Sequence, residues 1–225
     1  MVNYRRDFYI RRVVEPKIMN FQSFETSGLY FHHHLAFQGI LDFVSLNFPH
    51  YVDLIKVFYL NLKVYVNGYL LSKVNKKKIK VKPNDWFNIA HLMYQGKKLS
   101  YPNIPEYLSY ERQMALDIMV RPDLEGEIVK IVRSLNINYR LLHFMVVHWL
   151  TLRPANFAKV LKEDIFMIWA LKNKIYVNWP HHIMQTMLKS KGDDAPLPYG
   201  ILITRIMQYN GVDLFVEVST TIGLR

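Results

Sequence analysis

Residues 51–82 read YVDLIKVFYLNLKVYVNGYLLSKVNKKKIKVK, and the periodicity changes partway through. Leu54, Ile55, Phe58 and Leu62 follow i, i+1, i+4, i+8 spacing, the pattern of one buried helix face. From Lys63 onward Val64, Val66, Val74, Ile79 and Val81 are β-branched. Lys76, Lys78, Lys80 and Lys82 alternate with Lys77, Ile79 and Val81, close to period two. The pattern predicts a helix over 51–62 and strands near 63–66, 69–74 and 78–81. Turns are expected at Asn67-Gly68 and at Asn75-Lys76-Lys77. The expected fold is therefore mainly α-helical, a single helical domain with a small antiparallel β-hairpin or three-stranded element near residues 63–81.

Outward from this stretch the chain reads as helix. Ala36–Asn47 places Phe37, Ile40, Leu41, Val44 and Leu46 near one face, and Phe48-Pro49 ends it, because proline disfavours helix at the residue before it. Pro83 opens a helix through Met93. Gln95–Pro105 is a loop. Further helices are expected over Tyr110–Met119, Leu124–Arg133, Tyr139–Thr151, Lys162–Leu171, Pro180–Lys189 and Pro198–Tyr209, the last closed by Asn210-Gly211. Residues 1–30 show no sustained period and read as a loosely structured basic N-terminal arm. One domain is expected over 31–215, with a C-terminal tail over 216–225.

The 225 residues are 51% hydrophobic, which excludes a disordered chain and allows a core. Cysteine is absent, so disulfides, Cys-ligated zinc, iron–sulfur clusters and thiol nucleophiles are excluded; this fits a reducing, intracellular setting, nuclear or cytoplasmic. No long apolar stretch follows the basic start, so neither a secretory nor a twin-arginine leader is expected. The most apolar run, Leu141–Leu152, has twelve residues and carries His143 and His148. A membrane span needs about 20 apolar residues, so the run reads as a core helix and no membrane partner is expected.

The formal charge is +11, and it is local. Between Lys63 and Lys98 nine lysines face only Asp85. Glu111–Glu127 instead holds five acids and two arginines. Basic clusters attract phosphate backbones through counterion release, and they also serve in nuclear import. The same lysines equally suit a solvated hairpin that resists edge-to-edge pairing. Lys73, Lys76, Lys77, Lys78, Lys80 and Lys82 are the candidate phosphate contacts, and Tyr65 and Tyr69 the candidate stacking rings.

Catalytic signatures are missing. The nine glycines form neither GxGxxG nor GxxxxGK[ST], and GxSxG is absent. His32-His33-His34 are consecutive and do not converge on one ion, and no HExxH exists. His181-His182 reads as a helix start, and His143 and His148, five apart, as core or near-core residues. A transposase needs carboxylates holding two divalent ions. Asp42, Asp53, Asp85, Glu163 and Asp164 include none in a strong β-run, and strand–helix alternation is lacking. Glu163-Asp164 suits a helix N-terminus instead. No enzyme activity, cofactor or metal is expected.

Four blocks in order carry a family resemblance. Phe48-Pro49-x-Tyr51 leads into LIKVFYLNL (54–62). K-V-x-x-K-K-I-x-V follows at 73–81, then RLLHFMVVHWLTLRPANFAKV (140–160) and LPYGILITRIMQYNGVDL (197–214). Together, over roughly 36–214, they resemble the "putative plant transposon protein" domain found in retrotransposon-derived plant reading frames. The resemblance implies an accessory or gag-like domain and supplies no catalytic residues. The function expected is a non-catalytic, mobile-element-derived domain that binds nucleic acid through its lysine-rich hairpin. The alternative is a protein-interaction or self-association module, with a phosphoryl-transfer enzyme a distant third.

Overall fold

The structure is a computed structural model that describes residues 8–17, 32–98, 109–124, 131–153, 156–193 and 195–214. In chain order its helices are α1 (His32–Gln38), α2 (Leu41–Val44), α3 (Val52–Asn61), α4 (Asp85–Ala90), α5 (Arg112–Met119), α6 (Ile137–Met145), α7 (Lys162–Lys172), α8 (Trp179–Gly192) and α9 (Gly200–Tyr209). Three strands, β1 (Lys63–Val64), β2 (Leu70–Val74) and β3 (Lys77–Val81), form one antiparallel sheet in the order β1-β2-β3. The protein is mainly helical with a small three-stranded sheet, as the change of period in 51–82 predicts. Among the described residues no helix is long and apolar enough to cross a membrane.

The chain gathers into two compact units. The first draws on Met1–Met19, Gly39–Tyr94 and Trp179–Arg225, and the second on Asn20–Gln38 and Gln95–Asn178.

In the first unit, α3 buries Leu54, Ile55, Phe58 and Tyr59. The sheet turns Leu70, Ser72, Val74, Ile79 and Val81 inward and packs its β2 strand on α3. Ser72 is polar on this face, and its Oγ donates to the Phe58 carbonyl at 2.7 Å, so its burial leaves no orphaned hydroxyl. Helix α9 packs on α3 and α4. Gly200 allows close approach there: a Cβ at that position would stand 3.2 Å from Cδ1 of Ile55. The segment 8–17 is not loose. Phe8 is buried, and Val13 pairs with Leu197 as a parallel bridge. The remainder of the expected arm, apart from 8–17, lies outside the described residues, as does the tail over 216–225.

Both expected turns of the sheet form. Gly68 N donates to Tyr65 O, and Tyr65 N to Tyr69 O, both at 2.9 Å. Gly68 has φ +85°, and a Cβ there would lie 2.5 Å from the Tyr94 ring, so any other residue would be strained. The β2–β3 turn is a two-residue loop, with Val74 opposite Lys77 and both Asn75 (φ 47°) and Lys76 (φ 63°) left-handed. This suits the right-handed twist of a hairpin, and asparagine tolerates it, but lysine is strained by about 1 kcal/mol. Lys76→Gly is expected to raise the thermal midpoint by about 2–4 °C, read by differential scanning calorimetry. A lower midpoint would contradict the strain.

The second unit contains α1, α5, α6 and α7. Gln38 of α1 is buried and pairs with an extended segment. Its Nε2 donates to Ile175 O at 2.7 Å, and its Oε1 accepts from Val177 N at 3.0 Å. The helix expected over Tyr139–Thr151 is present, but its last turn, Val146–Leu150, is a π-helix in which Thr151 N donates to Val146 O at 2.8 Å.

Two expected helices differ. That over 36–47 is split, because Gly39 takes φ 64° between α1 and α2. Of that over Leu124–Arg133, residues 125–130 lie outside the described residues, and the short 3₁₀ turns Pro122–Leu124 and Val132–Ser134 stand at its two ends. Ile131 is bridged to Lys159, and Val120 to Leu135.

Candidate functional site

The sheet's pleat sorts its side chains by chemistry. Residues directly opposite each other across two strands share a face. Lys73 lies opposite Lys78, Leu71 opposite Lys80, and Lys63 opposite Leu71. The outer face therefore carries Lys63, Leu71 and Lys80 in one row and Lys73 and Lys78 in the next. All four lysines are exposed. Among the described residues none of them forms an ion pair. Like charges directly opposite each other are unfavourable by a few tenths of a kcal/mol to about 1 kcal/mol, so this face gains from any anion that settles on it.

The acid nearest to the strands in the chain, Asp85, is committed elsewhere. Asp85 Oδ2 accepts from the Lys82 backbone N–H at 2.8 Å, and its Oδ1 accepts from the Tyr209 hydroxyl at 3.2 Å. On the free edge of β3, Lys80 N donates to Asn210 Oδ1 at 2.9 Å, which helps cap an edge that lysines also guard. Positive charge extends beyond the sheet. Lys191 Nζ donates to Leu60 O (3.1 Å) and Leu62 O (2.8 Å), at the carbonyl end of α3. Burial, reinforced by nearby Lys63, lowers the pKa of Lys191.

The remaining candidates are placed less favourably. Lys76 sits at the turn tip, Lys77 at the start of β3 and Lys82 just past its end, all exposed but outside the two outer rows. Tyr69 is half-buried, and Lys80 Nζ stands 5.1 Å from its ring centroid, so one ring face already holds a cation. Tyr65 is exposed at the β1–β2 turn.

Several of the histidines are drawn into the interior. Burial brings the pKa of His34 down to about 4, with His33, Lys172 and Lys174 adding repulsion. Burial does the same to His182, also to about 4, with His181 contributing. His143 and His148 are buried. Among the described residues no group of three His, Cys, Asp or Glu side chains could hold a metal ion.

The second unit holds an arrangement that sequence reading missed. Asp164, 3% exposed, gathers three donors on its Oδ2. They are Arg153 Nη1 at 2.6 Å, the Leu161 backbone N–H at 2.8 Å and His143 Nε2 at 3.2 Å. The helix-start role expected for Asp164 is present in the bond to Leu161, but the carboxylate also neutralises a guanidinium. Arg153 Nη2 reaches on to Asn156 O and Lys159 O, both at 2.9 Å, and so fixes the loop that follows. Only the position of Asp164 at the third residue of a helix was legible as a signal. Nothing in residue spacing joins His143, Arg153 and Asp164.

One family model, described as "Putative plant retrotransposon-related domain", matches residues 37–213. No curated protein and no solved structure matches the chain.

Proposed function

The chain belongs to the plant retrotransposon-related domain family, and from that premise we propose a non-catalytic, mobile-element-derived domain that holds nucleic acid by its phosphates. The observation that carries the reading is the outer face of the sheet. Lys73 and Lys78 stand directly opposite one another there, Lys63 and Lys80 flank Leu71, and no acidic residue lies within the strands. A backbone polyanion relieves that repulsion and releases counterions. The face carries no base-reading pattern, so the binding proposed is sequence-tolerant. The reading puts the protein inside the cell, in the nucleus or cytoplasm, with no cofactor.

The test is a salt titration of binding to a labelled duplex. Each phosphate contact contributes about 0.9 to the slope of log affinity against log salt. The variant with Lys63, Lys73, Lys78 and Lys80 all changed to glutamine is expected to lower that slope by about 3.6, and to weaken low-salt binding by at least roughly tenfold. Its urea midpoint should hold or rise slightly, since a like-charge pair is removed. Unchanged affinity and slope would sink the reading. The conclusion would then move to a protein-interaction or self-association module, which the exposure of Met114 (62%) and Ile118 (66%) on one face of α5 favours.

A further inference from the structure

The outer face of the sheet holds rings as well as cations. The pairing of Lys63 with Leu71 and of Val64 with Leu70 runs on into the turn, where Tyr65 N donates to Tyr69 O at 2.9 Å. Tyr65 therefore stands opposite Tyr69 and, two residues on from Lys63, shares its face. Tyr69 lies on that face too, because Lys80 Nζ stands 5.1 Å from its ring centroid. From the β2–β3 turn towards the β1–β2 turn, the face presents Lys73 and Lys78, then Lys63, Leu71 and Lys80, then Tyr65 and Tyr69.

The two rings differ in what they offer. Tyr69 is half-buried, and Lys80 covers one side of it. Tyr65 is 48% exposed, and among the described residues no ring packs on it and no cation stands over it. Its backbone is nevertheless fixed. Tyr65 O accepts from Gly68 N at 2.9 Å, and Gly68 holds a left-handed conformation against the Tyr94 ring. The neighbouring Val66 is 99% exposed. The turn thus displays an uncovered aromatic ring on a braced backbone, beside two rows of lysines.

We propose that Tyr65 is the stacking platform for an unpaired base of a single-stranded nucleic acid, whose phosphates lie on Lys63, Lys73, Lys78 and Lys80. Charge selects a polyanion, since residues 63–82 hold seven lysines and no aspartate or glutamate. The ring selects its form. A duplex keeps its base faces within the stack and would leave the Tyr65 ring and the Leu71 side chain uncovered. A single strand offers bases to them and phosphates to the lysines at once. Side chains directly opposite on paired strands have their Cβ atoms about 5 Å apart. A base stacked on Tyr65 therefore brings its phosphate within reach of the Lys80 ammonium held at Tyr69. The inference rests on the phosphate-binding reading of this face and names the form of nucleic acid that the face takes.

The experiment compares the full chain with Tyr65→Leu, with Tyr65→Phe and with the variant in which Lys63, Lys73, Lys78 and Lys80 are changed to glutamine. The probes are a labelled mixed-sequence single strand, as RNA and as DNA, and a duplex of the same sequence. Loss of a stacked base weakens binding roughly five- to a hundredfold. Tyr65→Leu is expected to show that loss on the single strand, with the salt slope and the duplex affinity unchanged. Tyr65→Phe keeps the ring and should bind as the wild type does. Leucine keeps apolar bulk at an exposed turn, so a loss at unchanged urea midpoint reports the ring rather than misfolding. Single-strand affinity untouched by Tyr65→Leu overturns the proposal, as does a loss shared equally by the duplex. If the glutamine variant still weakens binding in either case, the phosphate reading stands and only this inference falls. If the wild-type chain binds neither probe, both fall.

Discussion

Replacing Asp164 by alanine is expected to destabilise the second unit by about 3–5 kcal/mol, the usual consequence of removing one partner from a buried charge pair. The carboxylate is 3% exposed, and His143 is 2% exposed. Without it, the Arg153 guanidinium keeps its bonds to the Asn156 and Lys159 carbonyls but loses its counter-charge, while Leu161 N–H and His143 Nε2 lose their acceptor. Asp164→Asn keeps an acceptor oxygen and should lose less. Pairing Asp164→Ala with Arg153→Met removes the stranded charge as well, so the double variant should be more stable than the sum of the two single losses implies. Urea unfolding curves of the four proteins measure this directly. Strict additivity would show that the two side chains do not stabilise each other.

Arg11→Ala should have a comparable effect on the first unit, about 3–5 kcal/mol on the same measurement, since each buried carbonyl left without a donor costs about 1–3 kcal/mol. Arg11 is 7% exposed. Its guanidinium donates to Lys191 O at 3.2 Å and also to Ser190 O and Ala195 O. These carbonyls lie at and just beyond the end of α8, where the helix leaves acceptors unfilled and where positive charge is favoured. The guanidinium carbon also stands 4.8 Å from the Phe8 ring centroid. Arg11→Lys retains the charge but cannot reach three acceptors from one planar fork, so it should recover less than half of the loss. Full recovery by lysine would mean that charge at the helix end, and not the fork, is what matters.

These two side chains show where sequence reading stops. Arg11 reads as one of several cations in a basic start, and nothing near it in the chain announces its acceptors about 180 residues away. Asp164 reads as a helix-start acid, correctly, while its guanidinium partner comes from the far side of a loop.

The lysine face was more legible, because strand geometry is a local property. A period of two already puts alternate residues on opposite faces. Lys78 and Lys80 could thus be separated from Ile79 and Val81 before any pairing was known. The same logic made the change from helix to sheet near residue 63 visible, along with both turns. What periodicity lacks is register. That Lys73 stands against Lys78, and that Lys80 covers Tyr69, depends on a two-residue turn at Asn75-Lys76, where a third turn residue would have changed the cross-strand partners.

By itself, then, the sequence determined the mainly helical class, the small antiparallel sheet, the concentration of charge and the family. Each of these is written in short-range spacing or in ordered motifs. Tertiary structure alone decided the division into two units, the partners of Arg11 and Asp164, and which lysines oppose one another. The physical reason is that burial and hydrogen-bond satisfaction are settled between segments distant in the chain, where local pattern carries no information about which group will meet which.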